Sequence, residues 1–264
     1  MADLLAPFIP VKRREDLELL AAWVVGTYKP GGPFPVLIIN GEQGSAKSTT
    51  TRVLRRLVDP NSRDICEPPT NNRDFVAVVK NGYVLAVDNL SSLPAWLSDQ
   101  LCRLATGTGA IGGRALYTNS DLASFVACRP IILNGIPSFV EREDLSDRSI
   151  HLVLPEIPAS KRRDDDTFWA DFNAALPEIM GAIFSAVAKA HNTWHQIELR
   201  ELPRMANFAK WAAAGVGMAF FDAYVGNRKA ATEHFIEHND VAQAIIGYVR
   251  DKGTFNGTML TLLG

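Results

Sequence analysis

One short run constrains this chain more than any other: Gly41-Glu42-Gln43-Gly44-Ser45-Ala46-Lys47-Ser48, set directly between an apolar stretch, Pro35-Val36-Leu37-Ile38-Ile39-Asn40, and a stretch with helical periodicity. A glycine-rich turn between a buried strand and a helix points several backbone N–H groups inward, where they can surround a polyphosphate. In that setting Lys47 reaches the β- and γ-phosphates and Ser48 ligates Mg²⁺. The cradle predicted for the cofactors ATP and Mg²⁺ is thus Gly41, Glu42, Gln43, Gly44, Ser45, Ala46, Lys47, Ser48 and Thr49. Ala46 departs from the pattern G-x-x-x-x-G-K-[ST], standing where the second glycine belongs. Alanine is tolerated there at negative φ and strained at positive φ.

At 264 residues the chain holds either one large α/β domain with a helical appendage or two small domains. Its net charge of −2 advertises no whole-chain affinity for nucleic acid, so any such surface is local. Cys66, Cys102 and Cys128 form no C-x-x-C pair, which suggests neither a zinc site nor a disulfide framework and fits a reducing cytoplasm. The N-terminus lacks a secretory pattern, and the most apolar segment, residues 211–221, is too short to span a bilayer. No membrane partner is expected.

Continuous apolar runs at 36–39, 83–88, 130–134 and 150–154 read as buried strands. Helical spacing covers 14–28, 47–58 and 93–105, with Arg52, Arg55 and Arg56 on the outward side of the second. Residues 107–129 suggest a hairpin or insertion. The alternation predicts an α/β fold with a mostly parallel sheet sandwiched by helices. Beyond Pro158 the pattern is helical only, with long helices expected over 168–190 and 202–227. The expected organisation is an N-terminal helical segment (1–34), a phosphate-loop core (35–158), a helical lid or bundle (159–235) and a C-terminal helical segment (236–264).

A phosphate loop needs a carboxylate to hold hydrated Mg²⁺, and Asp88, at the end of an apolar run, is the candidate. Asp-Asn is equally good turn chemistry at a strand end. Asn89 follows where a second acid would orient or deprotonate water, and an amide takes no proton at neutral pH. Either hydrolysis is slow or another acid, such as Glu42 within the loop, serves. Asn134 ends another apolar run, where an amide can contact a γ-phosphate or water, or simply form an Asn-Gly turn. Arg142 and Arg148 suit an arginine finger at a subunit boundary, or a solvated helix face.

Nearly the whole chain resembles the ATPase module of phage- and mobile-element-encoded replication proteins, AAA+-like P-loop proteins related to the superfamily 3 helicases. The resemblance is carried by the loop at 41–48, by 83–89, by Leu101-Cys102-Arg103-Leu104-Ala105-Thr106-Gly107, by Arg114-Ala115-Leu116-Tyr117-Thr118-Asn119, by Arg129-Pro130-Ile131-Ile132-Leu133-Asn134-Gly135-Ile136 and by Asp144-Leu145-Ser146-Asp147-Arg148. It implies Walker A at the loop, Walker B at Asp88, sensor 1 at Asn134 and an arginine finger at Arg148, with Arg142 second. It further implies a homo-oligomeric ring, commonly a hexamer, with ATP sites between subunits. A hairpin within 109–121 would face single-stranded DNA in the pore, with Arg114 on phosphate and Tyr117 stacking; an ordinary salt bridge and core aromatic is the other reading of that pair. A primase-polymerase partner is implied, as is a winged-helix segment beginning near the C-terminus.

Rival functions are a nucleotide-gated assembly switch that hydrolyses little, and a small-molecule kinase, which has no evident use for Asn134 and Arg148. The pairs His191/His195 and His234/His238 are spaced i,i+4 but lack the other ligands of a metal site. Lys161-Arg162-Arg163 is followed by three aspartates and reads as self-neutralising.

Overall fold

The computed structural model describes residues 1–253 except 63, 110, 112–124, 137–138, 140–141 and 238–239, and gives only the backbone at 232, 234–237, 240–242, 244 and 252. In chain order, helices α1 (Ala2–Leu5) and α2 (Arg14–Thr27) precede strand β1 (Val36–Asn40), and helix α3 (Lys47–Val58) follows it. Helix α4 (Asn72–Lys80) leads to β2 (Leu85–Leu90), α5 (Ala95–Thr106) to β3 (Ile131–Gly135), and the single turn α6 (Glu143–Ser146) to β4 (Ser149–Val153). Beyond β4 the described elements are helical: α7 (Asp165–Thr193), α8 (Ala206–Val216), α9 (Ala219–Glu237) and α10 (Asp240–Lys252), with short 3₁₀ turns before and after α7.

Local chemistry sets several of these boundaries. Asn71 caps α4 by accepting hydrogen bonds from the backbone N–H of Arg73 (2.9 Å) and Asp74 (3.0 Å). Gly107, at φ 68°, takes the left-handed conformation that closes α5. Asp164 caps α7 by accepting from Thr167 N at 2.8 Å.

The four strands form one all-parallel sheet in the order β2-β3-β1-β4. Parallel strands covered on both faces need continuous apolar runs, which Val36-Leu37-Ile38-Ile39 and Ile131-Ile132-Leu133 supply. Alternate side chains serve opposite faces: Leu37 and Ile39 pack with Val53, Leu54 and Leu57 of α3, whereas Val36 and Ile38 pack with Phe75 of α4 and Leu101 of α5. Burying each such side chain contributes about 1.5–3 kcal/mol. An isolated parallel bridge from Cys66 to Val87 extends the sheet beyond β2. Strand β3 therefore lies between the strand that enters the glycine-rich loop and the strand that carries Asp88.

The helices after β4 close on α2 and on the sheet edge. Trp211 Nε1 of α8 donates to Val25 O of α2 at 3.0 Å. Along β4, Asn227 of α9 donates from Nδ2 to His151 O at 2.6 Å and accepts at Oδ1 from His151 N at 2.9 Å. One side-chain amide thus takes the place of a neighbouring strand at that edge position.

Two expectations are corrected. Residues 202–227 do not form one helix, because Gly217, at φ 103°, separates α8 from α9. Arg55 faces inward, 6% exposed, with Nη2 3.0 Å from Asp59 Oδ2; the carboxylate one turn on neutralises the charge that periodicity alone assigns to solvent. The basic run 161–163 is exposed at the entrance to α7 and lies among acids: Arg163 pairs with Asp171 and, after the Thr167 N–H, helps lower the pKa of the adjacent Asp164, and Arg162 lies 3.6 Å from Glu156. Arg114, Tyr117, most of the 109–121 hairpin, the His234 and His238 side chains and residues 254–264 lie outside the described residues.

Candidate functional site

Strand β1 ends at Asn40, and the chain turns through the glycine-rich loop into α3. Gly44 (φ 82°) and Ala46 (φ 59°) both adopt left-handed backbone conformations. For alanine that conformation costs about 1 kcal/mol that glycine would be spared. Ser45 is buried and folds the loop on itself, donating from Oγ to Glu42 O at 2.8 Å. Gly41 allows this close approach: a Cβ there would lie 2.5 Å from Ser45 Oγ and 2.8 Å from Leu154 O.

Helix α3 starts at this loop with no side-chain cap and no acidic residue in its first turn. Its leading N–H groups and the positive end of its dipole therefore face the loop, an arrangement that favours an anion. Lys47 Nζ donates to Gly41 O (2.6 Å) and Glu42 O (3.0 Å) across the same space. Burial lowers the Lys47 pKa from its ordinary 10.5, against the opposing pull of the Glu42 and Asp88 carboxylates. A polyphosphate in the loop would offset that desolvation.

Across the sheet, Ser48 Oγ donates to Asp88 Oδ1 at 3.0 Å. The β2–β3 register breaks between Val87 and Leu90, so that Asp88 and Asn89 leave the regular ladder, Asn89 at φ 59°. Asn134 of β3 is fully buried and bridges the gap: its Oδ1 accepts from Asn89 N at 3.0 Å, and its Nδ2 donates to Thr51 Oγ1 of α3 at 2.9 Å. Strand β2, strand β3 and helix α3 are thus tied together by side chains where the glycine-rich loop ends. Among the described residues, no group of three or more His, Cys, Asp or Glu is placed to hold a metal alone. The Ser48 hydroxyl and Asp88 carboxylate nonetheless fit Mg²⁺, which takes few protein oxygens and completes its shell with water and phosphate.

The structure adds Arg162. Ile157 N donates to Gly44 O at 3.2 Å, which ties the chain after β4 to the loop. Arg162 then lies over Gly44, with Nη2 3.1 Å from where a Cβ would stand and Nε donating to Ile157 O at 3.1 Å. Finding it from sequence would have required knowing that β4 is the neighbour of β1. Glu42 and Asn89 both expose their side chains beside this region.

Arg148 and Arg142 are both held in ion pairs within the chain. Arg148 immediately precedes β4, whose first residue, Ser149, pairs with Val36 at the start of β1. Lys47 follows the far end of β1, so about 16 Å of strand separates the two edges. Arg148 is held by Asp144 through both its carboxylate and its backbone carbonyl. Arg142 Nη1 lies 2.7 Å from Asp99 Oδ1. Arg148 therefore stands at the opposite end of β1 from the loop of its own chain.

No helix among the described residues is long and apolar enough to cross a membrane. No curated protein matches this sequence. A family model described as actinomycete integrative conjugative element replication protein matches residues 3–251. The chain therefore belongs to that family of mobile-element replication proteins.

Proposed function

We propose that this protein is a P-loop ATPase of the AAA+ kind, a ring-forming DNA helicase or translocase module within the replication machinery of its mobile element. The observation that carries the reading is the meeting of Ser48 and Asp88 at 3.0 Å beside Lys47, at the N-terminus of an uncapped helix that follows a glycine-rich loop. In this reading loop N–H groups and Lys47 bind the β- and γ-phosphates of ATP, and Ser48 and Asp88 hold Mg²⁺, which neutralises charge on the phosphates when bound. Asn134 fixes Asp88 and Asn89 relative to α3. Arg148, far from its own loop, stabilises charge on the γ-phosphate of a neighbouring subunit.

Asn89 favours a second reading. An amide in the position of the water-activating acid binds water without accepting its proton, so the same site could gate assembly and recruitment of a primase or polymerase with little hydrolysis. ATP hydrolysis measured with and without single-stranded DNA, over a range of protein concentrations, separates the two. A rate that climbs with DNA and with concentration, and collapses in Lys47→Ala and Arg148→Ala, supports the motor. ATP binding that depends on Lys47, with turnover indifferent to DNA and Arg148, supports the switch.

A further inference from the structure

Helix α3 carries a second concentration of positive charge beyond Lys47. Arg52 and Arg56, spaced i,i+4, share one face and open onto a cleft of about 330 Å³ lined also by Ser62, Asp64, Ile65 and Trp169. Like charges at that spacing weaken a helix, so the fold alone gives no reason for the pair. Asp64 opposes only part of the charge, lying 3.6 Å from Arg56 Nη2. Arg52 makes no ion pair or hydrogen bond among the described residues, although it is only partly exposed. The Arg56 guanidinium stacks 3.9 Å from the centroid of the Trp169 ring, and Phe168 and Phe172 hold that ring edge-on.

We propose that this cleft between α3 and α7 is a phosphate-binding site for single-stranded nucleic acid, separate from the glycine-rich loop and from the pore hairpin of the preceding reading. A guanidinium held over an indole keeps its N–H donors in a restricted direction, available to phosphate oxygens. Arg52 supplies charge that no acid opposes among the described residues, and the exposed Ser62, whose hydroxyl donates to Asn61 Oδ1 at 3.4 Å, borders the cleft. The cleft is open rather than enclosed, so a small molecule would bury little of its surface there. A strand running across it gains phosphate contacts by counterion release and finds an aromatic–guanidinium stack at its border. Arg52 and Arg56 lie five and nine residues beyond Lys47, about 8 and 14 Å along the helix.

The test is fluorescence anisotropy of a labelled oligothymidylate with the nucleotide-free full chain across a salt series. Arg52→Ala should weaken binding about three- to tenfold and make the plot of log affinity against log salt shallower by about 0.7, the share of one phosphate contact on a single strand. Arg52→Glu should weaken it further. Arg52 has no partner among the described residues to lose, so both variants should keep the wild-type Tm. Wild-type affinity and slope in both Arg52 variants would overturn the proposal, as would tighter binding of a phosphoserine peptide than of the oligonucleotide. Oligonucleotide binding weakened about three- to tenfold in Arg52→Ala, with the shallower salt slope, sustains this site even if ATPase activity proves absent.

Discussion

Ser48 donates its hydroxyl to the Asp88 carboxylate at 3.0 Å, joining the first turn of α3 to the end of β2 across forty positions of sequence. The intervening strand β3 holds this geometry through Asn134, which bonds both Asn89 N and Thr51 Oγ1. If the pair holds Mg²⁺, Asp88→Asn removes the charge while keeping the shape. ATP turnover should fall about two orders of magnitude while nucleotide affinity changes only a few-fold. Steady-state hydrolysis and equilibrium binding of a fluorescent nucleotide check this; wild-type turnover in Asp88→Asn would remove the carboxylate from the reaction.

Ala46 is held at φ 59°, the left-handed region in which a Cβ is penalised. Ala46→Gly should therefore stabilise the fold by about 1 kcal/mol, raising Tm by about 2–4 °C in a chain of this size. Differential scanning calorimetry gives the answer. A lowered Tm would mean that unfolded-chain entropy outweighs the relieved strain.

The strand-loop-helix at 36–58 is legible in sequence because every signal is local: an unbroken apolar run, glycines, then helical periodicity. Asp88 is legible for the same reason, as the first acid after a buried run. Arg162 is not, because its place over Gly44 depends on β4 pairing with β1, a long-range choice that periodicity does not encode. Asn227 is hidden likewise: in sequence it is one polar residue near a helix end, and its meaning comes from the edge of β4 beside it. Arg55 shows a subtler limit. Periodicity assigns faces by residue type, and the buried ion pair with Asp59 removes the reason for an arginine to face water.

Arg162 reaches the loop from the segment after β4, with its side chain 54% exposed and its Nη2 3.6 Å from Glu156 Oε1. That contact is loose, and a polyphosphate in the loop would be a stronger partner for the guanidinium. Arg162→Ala should weaken ATP binding about three- to tenfold and AMP binding hardly at all, since only the polyphosphate extends along the loop. Calorimetric titration with both nucleotides checks the contrast. Equal losses for ATP and AMP would place Arg162 against the nucleoside instead.

Asp147 joins the turn before β4 to the helices that follow it: Arg204 Nη1 lies 2.8 Å from its Oδ2, and Arg228 bonds its Oδ1. Burial pushes the Asp147 pKa up, but hydrogen bonds from Arg204 and Arg228 outweigh it and leave the carboxyl below the ordinary 3.8. A carboxyl whose folded-state pKa is depressed contributes its stability in full above the unfolded value and loses it as pH falls through the lower folded value. Asp147→Asn should therefore reduce stability by about 1 kcal/mol at pH 7. The gap should stay constant down to about pH 4 and close as the wild-type carboxyl becomes protonated. Thermal melts of both proteins from pH 7 to the acid limit test this, and a gap that persists undiminished in acid would show that shape, not charge, makes the contact stabilising.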